Sequence, residues 1–334
     1  MTDPRLEKLA NVLVTFSTAV QPNDRVIITT STTGMPLVRE VYREVVRAGA
    51  FPFLLFSEED LSEILLAEGN EEQLRYIHEP HRVLYEHYDV RFAILAPENT
   101  RYLSGVDPQR QAIQRQAAQE LMATMMRRTA EGEFRWTVVQ FPTNAAAQDA
   151  DMSLADYEDF VYSACHADQD DPVAVWHDTS ERQQRLVEWL KGKEQVAVKG
   201  EHIDLSLSIR DRTFQNDDGH FNMPGGEIFT GPVEESVNGW VRFSFPAVYG
   251  GREVEGVELT FEEGRVAKAT ATKNEVFLLS VLDTDEGARY LGEWAIGTNF
   301  GINRFTRNIL FDEKIGGTLH MAVGAGYPET GSVN

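Results

Sequence analysis

Strands and helices alternate along the first half of the chain, and this alternation limits the possible folds more than any other feature. Short apolar runs predict buried strands at residues 25–30, 51–56, 92–95 and 137–141. Apolar residues spaced three and four apart predict helices between them, at 35–48 and around 108–130. Strands joined by helices pair in parallel, because each crossover returns the chain to the same end of the sheet. The sequence therefore predicts an α/β domain with an open, mostly parallel sheet, which a strand at 195–198 is expected to rejoin.

The pattern changes after residue 200. Apolar and polar residues alternate at 237–245 and at 254–261, and a third such run follows at 266–272. Runs of this kind joined by tight turns predict an antiparallel β-meander, and a helix is predicted near 274–284. We therefore place a boundary near residue 195. An α/β N-terminal domain is expected at 1–195 and an α+β C-terminal domain at 196–334.

Charge and cysteine usage exclude several classes of partner. The chain carries 31 Lys and Arg against 53 Asp and Glu, a formal net charge of −22. This charge repels nucleic-acid phosphates and anionic membrane surfaces, and no apolar run approaches the length of a membrane span. A single cysteine, Cys165, excludes an intrachain disulfide and a thiolate zinc cluster. Without a signal-peptide pattern at the N-terminus, the sequence predicts a cytoplasmic protein with no nucleic-acid and no membrane partner.

A nucleotide site of the usual α/β kind is excluded by the residues that it would need. The dinucleotide fingerprint requires G-x-G-x-x-G between the first strand and its helix. That junction reads Ser31-Thr32-Thr33-Gly34-Met35-Pro36 and contains one glycine. No Gly-Lys-Ser/Thr pattern of a phosphate-binding loop occurs in the chain. The chemistry of this protein must therefore lie elsewhere.

Two carboxylates and one imidazole occur in unusual surroundings in the last third of the chain. Glu227 lies between glycines and prolines, which places it on a turn or short strand. Glu293 and His320 each lie within an apolar stretch. An unpaired charge in such a setting is costly, so each side chain needs a partner. A shared site for a divalent metal would satisfy all three, and separate buried hydrogen bonds are the alternative.

Several stretches occur together in a recognisable order. They are Asn222-Met223-Pro224 through Phe229-Thr230, Leu291-Gly292-Glu293, Leu310-Phe311-Asp312-Glu313, and His320 with Tyr327. In this order they resemble the thermophilic metallo-aminopeptidase family of the aminopeptidase T and AmpS type, which is leucyl aminopeptidase-like. The resemblance extends along the whole chain, from the opening helix to the last residues.

The resemblance implies a hydrolase, a metalloprotease that releases N-terminal amino acids from peptides through water activated by two divalent ions. Zinc, cobalt or manganese would suit the implied ligands, which are Glu227, Glu293, Glu313 and His320. It implies catalytic roles for Glu227 or Glu293 as a proton shuttle and for Tyr327 as an oxyanion donor. The C-terminal domain would be the metal-binding catalytic domain. A homodimer acting on peptide substrates is also implied.

The sequence departs from the family pattern in two places. The family often has two acidic residues before Phe-Thr, whereas this chain has Gly226-Glu227. The family also completes its metal site with a His-x-Asp motif, and no His or Asp follows Tyr327 here. On this resemblance the chain is expected to be truncated at its C-terminus. The alternative is an inactive, non-catalytic relative that binds peptide or a partner.

Overall fold

The computed structural model describes residues 3–249 and 252–334. Contacts divide the chain into two compact units. The first comprises the chain up to Trp176 together with Gly219–Pro224, and the second comprises His177–Asp218 together with Gly225–Asn334. Two independent domains divided at residue 195 stay a prediction. That position lies at the beginning of a strand in the second unit.

In the first half of the chain the described strands alternate with helices, and after about residue 195 most of them follow one another directly. In chain order they are β1 (Arg25–Thr30), β2 (Phe51–Phe56), β3 (Val90–Leu95), β4 (Arg135–Gln140), β5 (Gln195–Gly200), β6 (Ile203–Ser208), β7 (Gln215–Asp217), β8 (Asn222–Met223), β9 (Glu227–Thr230), β10 (Asn238–Arg242), β11 (Ala247–Tyr249), β12 (Arg252–Val254), β13 (Glu258–Glu262), β14 (Arg265–Thr270), β15 (Leu291–Gly297) and β16 (Leu319–Val323).

Most of the described α-helices lie in the first half of the chain. In chain order they are α1 (Pro4–Asn11), α2 (Met35–Arg47), α3 (Glu59–Glu68), α4 (Glu71–Arg75), α5 (Glu79–His87), α6 (Pro108–Ala130), α7 (Asn144–Asp149), α8 (Leu154–Ala164), α9 (Pro172–Leu190), α10 (Glu275–Leu282) and α11 (Ile309–Asp312). A π-helical stretch, Val12–Ser17, continues α1. Among the described helices, none is long and apolar enough to cross a lipid bilayer.

The first unit is built on a parallel sheet with the strand order β2-β1-β3-β4-β8. Apolar side chains of β1 such as Val26 and Ile28 are fully buried, and α2 packs against β1 and β2. Helix α2 has a proline in its first turn and is followed by Gly49 with φ of +77°, a conformation that favours glycine. The parallel sheet predicted from the sequence is confirmed.

Among the described residues, the second unit contains three antiparallel sheets. The two larger ones have the orders β14-β13-β10-β6-β5 and β16-β15-β9-β7, and β11 and β12 form a two-stranded sheet. The prediction that residues 195–198 rejoin the parallel sheet was wrong, because β5 pairs antiparallel with β6 of the second unit. The predicted strand at 254–261 is also interrupted, and Gly256 in the gap has φ of +63°. The expected meander is otherwise present in β10, β13 and β14.

One continuous apolar core stabilises the second unit. It includes Leu205, Ile228, Leu259, Leu291 and Trp294, all nearly inaccessible to solvent. Burial of this apolar surface is the main favourable contribution to the folding of the unit. Because Ile228 and Leu291 anchor β9 and β15 in this core, the polar residues beside them in the sequence are held in defined positions.

Candidate metal centre

Glu227 is held at the first residue of β9 by the backbone around it. In the sheet it lies between Gly297 of β15 and Asp217 of β7. The preceding residue, Gly226, has φ of +126°, and a Cβ atom there would lie 2.3 Å from the Cβ of Asn299. Only glycine fits this position. The glycine therefore sets the path by which the backbone brings the Glu227 side chain, 5% exposed, to the sheet.

Glu293 and His320 lie on the paired strands β15 and β16. Glu293 is opposite Ala322 and His320 is opposite Ala295, and a register shift lies between Leu291 and Glu293. A shift of this kind changes which face of a strand a side chain occupies. The two residues lie 27 positions apart in sequence, and strand pairing brings them into contact.

The three side chains converge on one point. His320 Nε2 lies 2.8 Å from Glu293 Oε1 and 3.2 Å from Glu227 Oε2. Ligand atoms of the three residues all lie within 4.8 Å of one another. His320 Nδ1 donates to the main-chain carbonyl of Glu313 at 2.9 Å. Since a carbonyl can only accept, Nδ1 carries a proton, and Nε2 is the nitrogen that faces the carboxylates.

Glu313 reaches this cluster through its main chain. It directly follows α11, and its carbonyl orients the His320 ring. Among the described residues, its carboxylate is not one of the group that lies within 4.8 Å. Burial raises the pKa of Glu313, and the positive charges of His320 and Lys314 partly oppose this. A role of Glu313 as a metal ligand therefore stays a prediction, while its contact with the imidazole is an observed one.

Tyr327 lies in the loop that follows β16. Its ring packs against Phe229 with a centroid distance of 5.4 Å, and the residue is 54% exposed. Burial raises the pKa of the phenol, and the negative charges of Glu293 and Glu313 raise it further. The hydroxyl group is therefore protonated at neutral pH and can donate a hydrogen bond.

The electrostatics of the cluster match a site for a cation. Burial raises the pKa of Glu227, an effect that His320 and Lys314 only partly offset. Burial by itself would lower the pKa of His320, but the hydrogen bond to Glu293 and the surrounding carboxylates raise it to about 9. Glu227 Oε2 is buried and has no hydrogen-bond partner among the described residues. Two carboxylates and an imidazole with an unsatisfied buried oxygen are a donor set that fits a divalent metal.

Two buried residues beside the cluster were missed by the sequence analysis. Lys314 is 1% exposed, and its Nζ lies 3.2 Å from Asp217 Oδ2 and donates to the carbonyl of Leu310 at 3.1 Å. Asp217 is the neighbour of Glu227 across the sheet. No local sequence pattern distinguishes this lysine, because it directly follows the charged residues Asp312 and Glu313.

Gln183 of α9 was also missed. Its Nε2 donates to the carbonyls of Asp217 at 3.1 Å and of Glu227 at 3.0 Å. The Thr298 hydroxyl donates to Gln183 Oε1 at 3.1 Å. One amide therefore holds β7 and β9 together at the position of Glu227. No local sequence pattern distinguishes this glutamine from others on the same helix.

Comparisons with known proteins agree on one family. The sequence profile described as thermophilic metalloprotease (M29) matches residues 2–333. Aminopeptidase 2 of Geobacillus stearothermophilus is 27% identical, over 98% of this chain and 84% of that protein. Aminopeptidase T of Thermus thermophilus is 28% identical, over 97% of this chain and 85% of that protein. Aminopeptidase AmpS of Bacillus subtilis is 27% identical, over 97% of this chain and 84% of that protein.

Two solved structures resemble the chain, one in both sequence and fold and the other in fold alone. Wild-type AmpT from Thermus thermophilus superimposes with a TM-score of 0.83 at 25% identity, over 95% of this chain and 85% of that one. A 2,5-dihydroxypyridine dioxygenase from Pseudomonas putida KT2440 has a TM-score of 0.58 at 12% identity, over 98% of this chain and 88% of that one. The second similarity concerns the fold alone.

Proposed function

The chain belongs to the thermophilic metalloprotease family M29, and on that basis we propose that it releases N-terminal amino acids from peptides at a site formed by Glu227, Glu293 and His320. The observation that supports this site most strongly is the convergence of the three side chains within 4.8 Å. The buried, unsatisfied Oε2 of Glu227 adds to it. As a metallo-aminopeptidase the protein is a hydrolase, and peptides are its substrates.

We propose that these three residues hold the metal and that Glu313 and Tyr327 complete the site. Two divalent ions, once bound, would supply Lewis acidity that lowers the pKa of a water molecule and polarises the scissile carbonyl. Carboxylate and imidazole donors suit zinc, cobalt and manganese alike. The hydrogen bond from His320 Nδ1 to the carbonyl of Glu313 keeps the ring oriented, so Nε2 remains directed at the two carboxylates.

The side chains of the cluster divide the proton transfers between them. We assign Glu293 or Glu227 as the carboxylate that accepts a proton from the attacking water and delivers it to the leaving amine. Tyr327 donates its phenolic proton as a hydrogen bond to the oxyanion of the tetrahedral intermediate. Its raised pKa keeps this proton in place at neutral pH. The acidic cluster attracts the α-ammonium group of a peptide, which favours substrates with a free N-terminus.

The variant Glu293→Gln tests this proposal directly. It retains the size of the side chain and removes its charge. We expect hydrolysis of leucine p-nitroanilide, measured after addition of zinc, cobalt or manganese, to fall below detection. Glu262→Gln, at an exposed position of β13, is the matched control and should retain full activity.

Metal content gives a second measurement that does not depend on activity. We expect about two equivalents in the wild type by elemental analysis and less in Glu293→Gln. Unchanged hydrolysis by Glu293→Gln, with an unchanged circular dichroism spectrum, would remove this residue from the chemistry.

We also propose a homodimer, from the family resemblance, and a cytoplasmic location, which the single cysteine fits. Light scattering coupled to size-exclusion chromatography tests the first, because a dimer has twice the mass of the chain. Cell fractionation tests the second.

A further inference from the structure

The parallel sheet of the first unit has a point at which its strand order reverses. β1 pairs with β2 on one side and with β3 on the other. In open parallel sheets a crevice forms at such a point, beyond the carboxyl ends of the strands, and ligands bind there. A cavity of about 1340 Å³ lies at this place, lined by residues that end or follow the strands, including Ser31, Ser57 and Ala96.

The cavity lies between one face of the sheet and the helices α3 to α6. Thr29 of β1 is paired with Ala93 of β3, and Ile27 is paired with Arg91, so these four side chains share one face of the sheet. All four line the cavity, and Leu84 of α5 contributes to the opposite wall. A volume of this size exceeds that of a packing defect and is larger than the roughly 300–1,000 Å³ of ordinary small-molecule pockets, so it has room for a small organic molecule.

Arg91 gives this apolar cavity a positive charge. Its Nε atom is buried and has no hydrogen-bond partner among the described residues. The guanidinium lies 5.7 Å from the ring centroid of Tyr85, which stabilises the cation but neutralises none of its charge. Arg115 and His81 also line the cavity. A guanidinium in such a setting is best satisfied by a carboxylate, which accepts two of its hydrogen bonds.

Two of the acidic residues that line the cavity are engaged elsewhere. Glu58 Oε1 accepts from the main-chain N–H of Thr32 at 2.9 Å, and Glu59 Oε2 accepts from that of Asn99 at 2.9 Å. These contacts hold loops at the edge of the cavity. Glu72, a third carboxylate of the lining, is exposed on α4. The charge of Arg91 is therefore left for a ligand.

We propose that this cavity binds a small organic carboxylate with an aromatic or aliphatic body, its carboxylate on Arg91 and its apolar part against the sheet. A phosphorylated ligand fits less well, because the loop after β1 has a single glycine and offers no cradle for phosphate. The lining residues of this cavity belong to the first unit, and the residues of the metal centre belong to the second.

Isothermal titration calorimetry with 4-phenylbutyrate and octanoate tests the proposal. We expect one site per chain for at least one of the two acids. The uncharged 4-phenylbutyramide should bind roughly tenfold more weakly than 4-phenylbutyrate, because it cannot form the charged hydrogen bonds with the guanidinium. This comparison uses the wild-type protein and does not depend on the folding of any variant.

Two variants locate the binding site. Arg91→Met keeps an unbranched side chain without charge, and affinity for the acid should fall roughly tenfold to the level of the amide. Ala93→Phe fills the floor of the cavity and should weaken acid and amide alike. Arg47→Met, on α2 and outside the cavity lining, is the control and should bind as the wild type does.

Three results would overturn the proposal. They are equal affinity of the wild type for acid and amide, undiminished binding by a folded Arg91→Met, and the absence of binding by both acids up to about 10 mM, a concentration at which a millimolar site is occupied.

Discussion

Glu227 and Glu253 are glutamates on short strands of the same unit, and their surroundings shift their pKa values in opposite directions. Burial raises the pKa of Glu227, and one of its oxygens lacks a hydrogen-bond partner among the described residues. Glu253 accepts from Lys273 Nζ and from Arg307 Nε, each at 2.8 Å, and these contacts lower its pKa to about 2. Glu227 Oε2 accepts no hydrogen bond within the described part of the chain, although His320 Nε2 lies 3.2 Å from it, whereas Glu253 accepts hydrogen bonds from two cations.

The difference separates a binding site from a structural ion pair. A carboxylate that is fully engaged by protein donors has little capacity left for a ligand. A buried carboxylate with an open oxygen destabilises the protein until a cation arrives. Perturbed carboxylates of the second kind concentrate at functional sites. The hydrogen-bond partners of a glutamate on a short strand therefore indicate whether it belongs to a binding site or to a structural ion pair.

The largest expected effect is on catalysis. Glu227→Gln should lower kcat/KM for leucine p-nitroanilide by roughly 10³-fold, since several kcal/mol of transition-state stabilisation depend on the bound metal. Glu253→Gln makes the same chemical change at the saturated position and should leave kcat/KM within about twofold of the wild type. Steady-state kinetics at saturating metal concentration measures both. Equal losses in the two variants would contradict the distinction between the two glutamates.

A smaller effect is expected at the cations that accompany each glutamate. Lys314 is buried against Asp217, whereas Lys273 is half-exposed beside Glu253. Lys314→Met leaves a buried carboxylate without its counter-ion and should lower the free energy of unfolding by about 3 kcal/mol. Lys273→Met should lower it far less, because solvent screens an exposed pair.

Urea denaturation with a chelator present measures this pair of variants, since bound metal would otherwise add stability. The double variant Lys314→Met, Asp217→Leu should recover part of the loss, because it removes both charges. A stability of Lys314→Met equal to that of the wild type would show that the buried ion pair contributes nothing.

The smallest expected effect is that of pH on the free energy of unfolding. The pKa of Glu253 is lowered from 4.5 to about 2 in the folded chain. A lowered pKa stabilises the folded state above pH 4.5, and this contribution disappears as the pH falls towards 2. Glu253→Gln lacks the contribution and should lose less stability over that interval. After allowance for solvent screening the difference is about 1 kcal/mol. Parallel denaturation curves of both proteins from pH 5 to 2.5 measure it, and an identical pH dependence would exclude it.

The sequence predicted strands β1 to β4 and helices α2 and α6 of the first unit, but not α3, α4, α5 or α7. β1 and β2 agree with their apolar runs to the residue, and α6 begins and ends where the pattern predicted. These elements depend on side-chain spacing and on local signals such as Asp107, which caps α6 ahead of Pro108. Such signals are complete within a short stretch of chain, so they can be read without knowledge of the fold.

Partners distant in sequence could not be predicted in the same way. β5 was assigned to the parallel sheet, although its pairing partner is β6. The surroundings of Glu227, Glu293 and His320 in the sequence marked them as candidates but left open a shared metal site or separate hydrogen bonds, and only the family resemblance implied a common site. The hydrogen bonds of Gln183 and the burial of Lys314 had no readable signal. These strand pairings, hydrogen bonds and burials depend on which distant parts of the chain folding brings into contact.

By itself, the sequence determined strands β1 to β4 and the helices α2 and α6 of the first unit, the exclusion of a phosphate-binding loop, and the residues that mark the family. The tertiary structure alone decided that Glu227, Glu293 and His320 meet, that Lys314 faces Asp217, and that a cavity opens over Arg91. The physical reason is that helix and strand periodicity is local. Register, burial and the pairing of charges are set by strands that lie tens of residues apart in the chain.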